Sequence, residues 1–333
     1  MTATATESDS APQFESRSID LAGPSALGVA FTADGLAIAL GLSDGTLRIL
    51  DGATLEPALE REGSAEWIRG IALTQERDRA ATSGGDGVAR IWDTGGWEIL
   101  AELPYEAPIL SVAFSPDGRF LATGAEDGAA IVWETKRGWL ARGLGGREDS
   151  ATVVAWSPVE NVLATGSRDG KVRVFQLDVE TPIAVPTMHD GFVEQLAFSP
   201  DGRLLASAGA DGSIRIAIPT ADHELAILDG HEGSVACLAF RPDGNGLVSG
   251  GSDRTVRSWD LASVIDAATL ERESTNATMT EAESLGVAAP LELRESVVLA
   301  TLGAPVASLA FDRPGVRLVA TTLASEVRLL PSR

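Results

Sequence analysis

The stretch Ser43-Asp44-Gly45-Thr46 is typical of a tight turn, and similar turn sequences with an aspartate recur along the chain at a nearly constant interval. Separated by 41 or 42 residues, its aspartates recur at Asp86, Asp127, Asp169, Asp211 and Asp253. A period in the low forties is typical of arrays of four-stranded units, in which each unit buries its apolar faces against its neighbours. The repeat fills most of the 333 residues, so we predict one closed array instead of several independent domains.

Each unit has the same internal order of apolar runs and turns. Two apolar runs joined by a turn of the Pro-Asp-Gly type precede the phased Asp-Gly turn, and a run with alternating Arg follows it. Runs bounded by Gly, Pro and Asp are typical of strands joined by hairpins, and strands that are apolar on both sides belong to sheets covered on both faces. The first run appears seven times, at 29–31, 71–73, 112–114, 154–156, 196–198, 238–240 and 309–311. The sequence therefore predicts an all-β fold, a seven-bladed β-propeller of four-stranded antiparallel blades.

The period is broken once, between the sixth and seventh units. Ala324 takes the place of the phased aspartate in unit seven and lies 71 residues after Asp253. Residues 296–302 read as the fourth strand of blade six, so we predict that 261–295 is a loop insertion in that blade, with a helical start over 261–270. It should emerge on the face opposite the binding rim described below, either as a second contact site or as a disordered ornament.

The two ends of the chain are predicted to meet in one blade. Pro331-Ser332-Arg333 follows directly on the third strand of unit seven, which leaves that blade one strand short. An unpaired sheet edge invites aggregation, so the missing strand should come from elsewhere. Residues 14–21 alternate as a strand, and we predict that they close the ring. Residues 1–12 are then expected to be a disordered tail, and 13–333 a single propeller domain.

The composition of the chain limits which classes of partner it can bind and in which cellular compartment we expect it. Lys plus Arg is 26 and Asp plus Glu is 48, and the resulting charge of −22 repels phosphates and anionic lipid, so we expect neither nucleic acid nor membrane as a partner. Cys237 is the single cysteine and cannot form an internal disulfide. Residues 1–16 lack the features of a secretion signal, and a cytoplasmic protein is expected. The scarcity of lysine beside abundant arginine and alanine suggests a bacterial source with a GC-rich genome.

Dipeptides at the ends of the third strands carry a family resemblance. Trp92-Asp93, Trp133-Glu134 and Trp259-Asp260 stand at equivalent positions, and Gly230-His231 precedes unit six. In these features the chain resembles the WD-repeat (WD40) family of β-propellers, of a bacterial type, over roughly residues 13–331 less the insertion. The resemblance implies a buried, structural hydrogen-bonded set in each blade, which is complete only in the sixth unit. Its members there are His231, Ser249, Asp253 and Trp259.

The phased aspartates can also be considered as catalytic groups or metal ligands. Each is more simply explained by its own turn, where an Asp side chain accepts hydrogen bonds from local backbone amides. The sequence contains no Walker loop and no His-Glu zinc motif. We therefore expect no catalytic residues, no metal and no cofactor, and predict that the chain is not an enzyme; a hydrolase that uses the channel is the more distant alternative.

A binding surface is the remaining functional prediction. In the family, the loops that enter the inner strands and the loops that hold the phased aspartates open on one face around the channel, and partners dock there. The residues predicted for this rim are Trp67, Arg69, Glu126, Arg168, Phe192 and Glu194. Aromatic and arginine side chains commonly anchor interfaces, although Trp67 or Phe192 could instead cap the end of a blade.

These observations lead to a function hypothesis with one main alternative. The hypothesis is a protein-interaction scaffold or recognition module, monomeric as a propeller and working within a complex with protein partners. The alternative is a sensor or regulatory subunit that controls a separately encoded protease, kinase or nuclease.

Overall fold

A computed structural model describes residues 16–331, apart from 33, 75, 77, 145–150, 180, 277–289, 313–314 and 316. Within these residues the strands, numbered in chain order, form seven antiparallel sheets arranged as consecutive blades. The predicted seven-bladed propeller is confirmed. The tail predicted over residues 1–12 lies outside the described part of the chain.

The first four blades are each built from four consecutive strands. Blade one contains β2 (Ala26–Phe31), β3 (Ala37–Leu42), β4 (Thr46–Asp51) and β5 (Pro57–Glu62). Blade two contains β6 (Ile68–Leu73), β7 (Arg79–Gly84), β8 (Val88–Asp93) and β9 (Ile99–Pro104). Blade three contains β10 (Ile109–Phe114), β11 (Phe120–Ala125), β12 (Ala130–Glu134) and β13 (Trp139–Leu144). Blade four contains β14 (Ala151–Trp156), β15 (Val162–Ser167), β16 (Lys171–Gln176) and β17 (Ala184–Met188).

The last three blades depart from this simple order. Blade five contains β18 (Val193–Phe198), β19 (Leu205–Gly209), β20 (Ser213–Ala217) and β21 (Glu224–Asp229), with β25 (Leu291–Leu293) added at its edge. Blade six contains β22 (Val235–Phe240), β23 (Gly246–Gly251), β24 (Thr255–Asp260) and β26 (Val297–Thr301). Blade seven contains β27 (Val306–Phe311), β28 (Arg317–Thr322), β29 (Glu326–Pro331) and β1 (Arg17–Asp20). Helix α1 (Ala262–Asn276) follows β24.

The phased aspartates all perform the same local task. Each accepts a hydrogen bond at 2.9–3.2 Å from the backbone amide two residues further on, at the turn between the second and third strands. In unit seven, where Ala324 stands at this position, Thr322 takes over and its Oγ1 accepts from the amide of Glu326 at 3.2 Å. The period of the sequence is therefore the period of one hydrogen-bonded turn.

The ring is closed by the chain's first described strand. β1 pairs antiparallel with β29, with Arg17 opposite Leu329 and Asp20 opposite Glu326. The pairing is extended by hydrogen bonds from the Leu21 amide to the Ser325 carbonyl at 3.0 Å and from Ser325 Oγ to the Gly23 carbonyl at 2.8 Å. Closure by an N-terminal strand, predicted over 14–21, is confirmed for its described part.

A partly buried arginine also joins the last blade to the first. Arg317 of β28 donates to Asp312 at 2.8 Å within its own blade, and to the carbonyls of Gly52 at 2.7 Å and Gly35 at 2.9 Å in blade one. Charge-assisted bonds of this kind are about twice as strong as neutral ones. The blade seven to blade one interface thus has polar links in addition to its apolar packing.

Blade six brings together the four side chains of the hydrogen-bonded set. His231 Nδ1 lies 2.9 Å from Asp253 Oδ2, and its Nε2 lies 2.7 Å from Ser249 Oγ. Trp259 Nε1 donates to the same hydroxyl at 2.8 Å. Because the carboxylate can only accept, the imidazole proton is assigned to Nδ1, and Ser249 then donates to Nε2 while it accepts from the indole.

Both titratable groups of this set have pKa values lowered by folding. Burial lowers the pKa of His231 below its ordinary 6.5, and the hydrogen bond that His231 donates to Asp253 offsets only part of this effect. Burial acts to raise the pKa of Asp253, but hydrogen bonds from Thr255, Glu232 and His231 outweigh it, so the net pKa lies below 3.8. The unfolded chain therefore binds more protons, and these groups make the fold less stable as the pH falls below about 6.5.

Other blades contain parts of the same hydrogen-bonded set, built in some positions from different side chains. In blade five, His189 contacts Asp211 at 3.1 Å and Ser207 at 2.8 Å, but Ala217 replaces the tryptophan and Thr187 of blade four approaches the Ser207 hydroxyl at 3.2 Å. In blade three a tyrosine stands at the histidine position, and Tyr105 donates to Asp127 at 3.0 Å. The tryptophans of blades two and three keep their bonds to Thr82 and Thr123, at 2.9 and 3.0 Å.

The described part of the insertion packs against the propeller instead of projecting from it as a free loop. α1 covers its predicted helical start, and Leu261, Val264 and Ala268 are buried in a core shared with blades five and six. β25 then pairs parallel with β21 at the outer edge of blade five. The insertion leaves blade six and covers blade five, which the sequence pattern did not predict.

Removal of residues 1–22 should prevent stable folding, because β29 would lose its partner strand and the ring its closure. Size-exclusion chromatography and thermal unfolding measure the effect. Removal of residues 1–12 is the control, since it spares β1. A monomer lacking 1–22 that melts like the intact protein would contradict the role assigned to this strand.

Trp259→Ala should lower the free energy of unfolding by about 3–5 kcal/mol, because it leaves a cavity and removes a donor from the buried Ser249 hydroxyl. Chemical denaturation compares it with Arg137→Ala on an exposed turn. Equal stability of the two variants would show that the hydrogen-bonded set of blade six contributes little.

Leu261→Ala should cost about 2–5 kcal/mol, since Leu261 is fully buried at the base of the insertion. Ser263→Ala, two residues further along the chain and exposed, should be close to neutral. Chemical denaturation measures the free energy of unfolding of both variants. A neutral Leu261→Ala would mean that the insertion packs only loosely.

Candidate functional site

The six predicted rim residues lie at one end of the propeller, near the ends of their strands. Trp67 and Phe192 directly precede the inner strands β6 and β18, and Arg69 and Glu194 are the second residues of those strands. Glu126 and Arg168 follow β11 and β15, at the turns of the phased aspartates. All six therefore come from connections that open on the same face.

A bulge at the start of every inner strand shapes the centre of this face. The pairing of each inner strand with its neighbour shifts register just after the first residue. A bulged residue leaves the hydrogen-bonded ladder and its side chain is aimed differently from those of the regular strand. The bulged positions form a ring around the channel, with one member from each blade: Leu27, Arg69, Leu110, Thr152, Glu194, Ala236 and Ala307.

This ring lines a central cavity of about 500 Å³. Four of the predicted rim residues belong to its lining: Arg69, Arg168, Phe192 and Glu194. Trp67 and Glu126 lie outside it. Five of the seven ring positions hold uncharged side chains, so Arg69 and Glu194 are the charged members of the ring, and Arg168 adds a positive charge to the lining.

These two charged members meet across the channel. A guanidinium nitrogen of Arg69 in blade two lies 3.9 Å from a carboxylate oxygen of Glu194 in blade five. Blades two and five are three positions apart in a ring of seven, so the pair spans the opening. About half of the Arg69 side chain remains exposed to solvent.

A second ion pair and an aromatic ring lie beside the first. Arg168 of blade four is 3.9 Å from Glu126 of blade three, and both side chains are about half exposed. Phe192 is 54% exposed, although it directly precedes the buried Val193. An aromatic ring that remains this open at the edge of a cavity is a feature of binding surfaces.

Trp67 has a more structural position than its prediction as an anchor implies. Its ring lies against Gly85, where an added Cβ would come within 2.6 Å of the indole. Its carbonyl also accepts from the Gly85 amide at 2.9 Å. Trp67 is only partly exposed and covers the end of blade two, which is the capping role considered for it from the sequence.

Sequence reasoning missed most of the channel ring and one apolar rim residue. The ring could have been found by counting, because each member lies four residues before the aromatic or leucine residue that ends its inner strand. Leu323, which is 52% exposed, stands at the rim in blade seven one residue before Ala324. It was missed because that unit lacks the phased aspartate.

The Ser-His-Asp groups of blades five and six resemble catalytic triads in composition only. Ser207 and Ser249 are 1% and 0% exposed, so no substrate can reach either hydroxyl in this structure. Cys237 lines the channel wall but is buried, and burial raises the pKa of its thiol to about 12. A thiol with so high a pKa is a poor nucleophile at neutral pH.

The described residues contain neither a metal-binding cluster nor a membrane-spanning helix. Among them, no three His, Cys, Asp or Glu side chains are grouped so that they could hold a metal ion. In the same part of the chain, no helix has both the length and the apolar character needed to cross a membrane.

Comparison with known proteins identifies individual repeats. The family described as WD domain, G-beta repeat matches residues 56–93, 97–134 and 223–260. Each match runs from the outer strand of one blade to the end of the third strand of the next. The family described as Anaphase-promoting complex subunit 4 WD40 domain matches residues 154–225.

Similar curated proteins cover parts of the chain. Autophagy-related protein 16 of Arabidopsis thaliana is 30% identical over 33% of this chain and 23% of its own length. WD repeat-containing protein VIP3 of the same plant is 28% identical over 36% of this chain and 43% of its own. Serine-threonine kinase receptor-associated protein of Gallus gallus is 25% identical over 25% of this chain and 26% of its own. The chain thus spans less than half the length of each of these relatives.

The relatives come from eukaryotes, so the comparisons do not support the bacterial source suggested by composition. They do agree with the structure on the repeat itself. The matched segments end at Asp93, Glu134 and Asp260, directly after tryptophans that close third strands of the propeller. The chain is a WD-repeat protein.

Proposed function

We propose that this chain is a non-enzymatic protein-interaction scaffold that holds a protein partner on the rim around its channel. The observation that supports this most directly is the exposed ring of Phe192 beside two loosely held ion pairs. An aromatic anchor next to charges of both signs offers a partner apolar contact and specific pairing on one rigid surface.

The two ion pairs of the rim are weak enough for charged groups of a partner to replace them. Both Arg69–Glu194 and Arg168–Glu126 are joined at 3.9 Å, near the limit for such a contact, and their side chains are 27–54% exposed. Exposed pairs of this kind typically contribute about 0–1 kcal/mol. A partner that offers its own charged groups can replace either contact at little cost, and the two arginines then become available for stronger bonds.

The net charge of the chain and the names of its relatives support a protein as the binding partner. The net charge of −22 opposes association with nucleic acid or anionic membranes. Among the relatives, one is named for its association with a serine-threonine kinase receptor and another with the U3 snoRNP. We extend only the general theme, association with other proteins, to this chain.

The rim can be tested with two variants that should not disturb the fold. Phe192→Ala and Arg69→Ala should each weaken partner binding at least about tenfold, because they remove central, exposed anchors. Proteins captured from the source cell by the wild type are identified by mass spectrometry, and their affinity for each variant is measured by surface plasmon resonance. Trp67 is not used, since its truncation would also uncover Gly85.

The matched control lies on the opposite face. Leu36 is 70% exposed in the turn between β2 and β3, so Leu36→Ala should bind the partner like the wild type. All variants should melt near the wild-type temperature. Loss of binding in Leu36→Ala with full binding in both rim variants would move the partner site to that opposite face.

A further inference from the structure

A second cavity, of about 480 Å³, lies at the end of the propeller opposite the rim. Two of its walls are the turns between the first and second strands of blades five and six, residues 199–204 and 242–245. The third wall is one side of helix α1 in the insertion. The volume lies within the range of about 300–1,000 Å³ that is typical of small-ligand sites.

The cavity has an apolar body. Pro200, Leu204 and Pro242 contribute from the turns, and Ile265 and Ala268 contribute from the helix. Leu204 and Ala268 are also part of the buried core, so this surface is continuous with the interior of the protein. An apolar wall formed by two proline rings and a helix fits a hydrocarbon or aromatic group of a ligand.

The walls are fixed before any ligand arrives. The Leu261 amide, at the base of the insertion, donates to the Asn245 carbonyl at 3.1 Å, and Val264 anchors the helix in the core. In the blade five turn, Asp201 Oδ1 accepts from Ser199 Oγ at 2.6 Å and from the Arg203 amide at 3.0 Å. A cavity with walls that are held in this way requires little reorganisation on binding.

The polar groups of the lining favour a positively charged ligand. The lining carries two carboxylates, Asp201 and Asp243, and one guanidinium, that of Arg203, whose Nε lies 3.4 Å from Asp201. Asp243 lies 3.8 Å from Nε of Arg241, which is outside the lining. Both carboxylates are about half exposed and such ion pairs are weak, so an ammonium group can replace either arginine. Burial acts to raise the pKa of Asp201, but the hydrogen bonds from Ser199 and the Arg203 amide and the charge of Arg203 outweigh it. The net pKa is lowered, and the carboxylate is ionised at neutral pH.

We propose that this cavity binds a small organic cation, an amine with an apolar or aromatic body that lies against the prolines and α1 while its ammonium group faces Asp201 and Asp243. The site is separate from the rim and does not depend on the function proposed for it. A site for a small ligand is also what the sensor alternative requires.

Three probes of the same size and shape test the chemistry. Isothermal titration calorimetry compares 2-phenylethylamine with 2-phenylethanol and phenylacetate on the full chain. The amine should bind at least about tenfold more tightly than either of the others, because only it can form charge-assisted hydrogen bonds with the carboxylates. Equal affinities for the three, or tightest binding of phenylacetate, would overturn the proposal.

Substitutions inside and outside the cavity then test where the amine binds. Thr269→Trp, which fills the cavity from the exposed side of α1, should abolish amine binding, and Asp201→Asn should weaken it about tenfold. The control is Asp117→Asn, because Ser115-Pro116-Asp117-Gly118-Arg119 in blade three repeats the sequence of residues 199–203 and its turn hydrogen bonds but lies outside the cavity. Asp117→Asn and the rim variant Phe192→Ala should bind the amine like the wild type. Unchanged amine binding in Thr269→Trp, or equal loss in Asp117→Asn, would show that the amine binds elsewhere.

Discussion

Every blade of this propeller is apolar on both of its faces, and the rest of the structure follows from that constraint. In β3, the neighbouring residues Ile38 and Ala39 point to opposite sides of the sheet, yet both are fully buried. A sheet of this kind cannot have a solvent-facing side, so each blade needs a neighbour on both sides and the row must close. The pairing of β1 with β29 and the bonds of Arg317 to blade one meet that need.

A closed frame allows single positions to vary without changing the fold. The bulged residue of each inner strand is outside the ladder, so its side chain is not fixed by strand pairing. Blades one and three hold leucine there, whereas blades two and five hold Arg69 and Glu194. Charge can therefore be placed at the channel mouth by changes at two positions, which is how function is commonly added to a repeat scaffold.

The features predictable from the sequence are those set by local chemistry. The phased aspartates fix the turns, and the seven copies of the first apolar run give the number of blades. Tyr105 stands in place of histidine, and only the fold shows that its hydroxyl reaches Asp127. The pairing of β25 with blade five was equally hidden, since three residues carry no strand signal and their partner lies over 60 residues earlier. At the rim, Phe192 is exposed, and residue types could not show that Trp67 covers Gly85.

The closing strand also determines the order in which the molecule can be completed during synthesis. β1 leaves the ribosome long before its partner β29 has been made. It must therefore wait, unpaired, until β29 is available, and blade seven is the last of the seven blades to form. Contacts of such long sequence separation make folding slow, and they leave a sheet edge open until the two strands meet. For this protein, chaperone demand should be greatest just before β29 is made and pairs with β1.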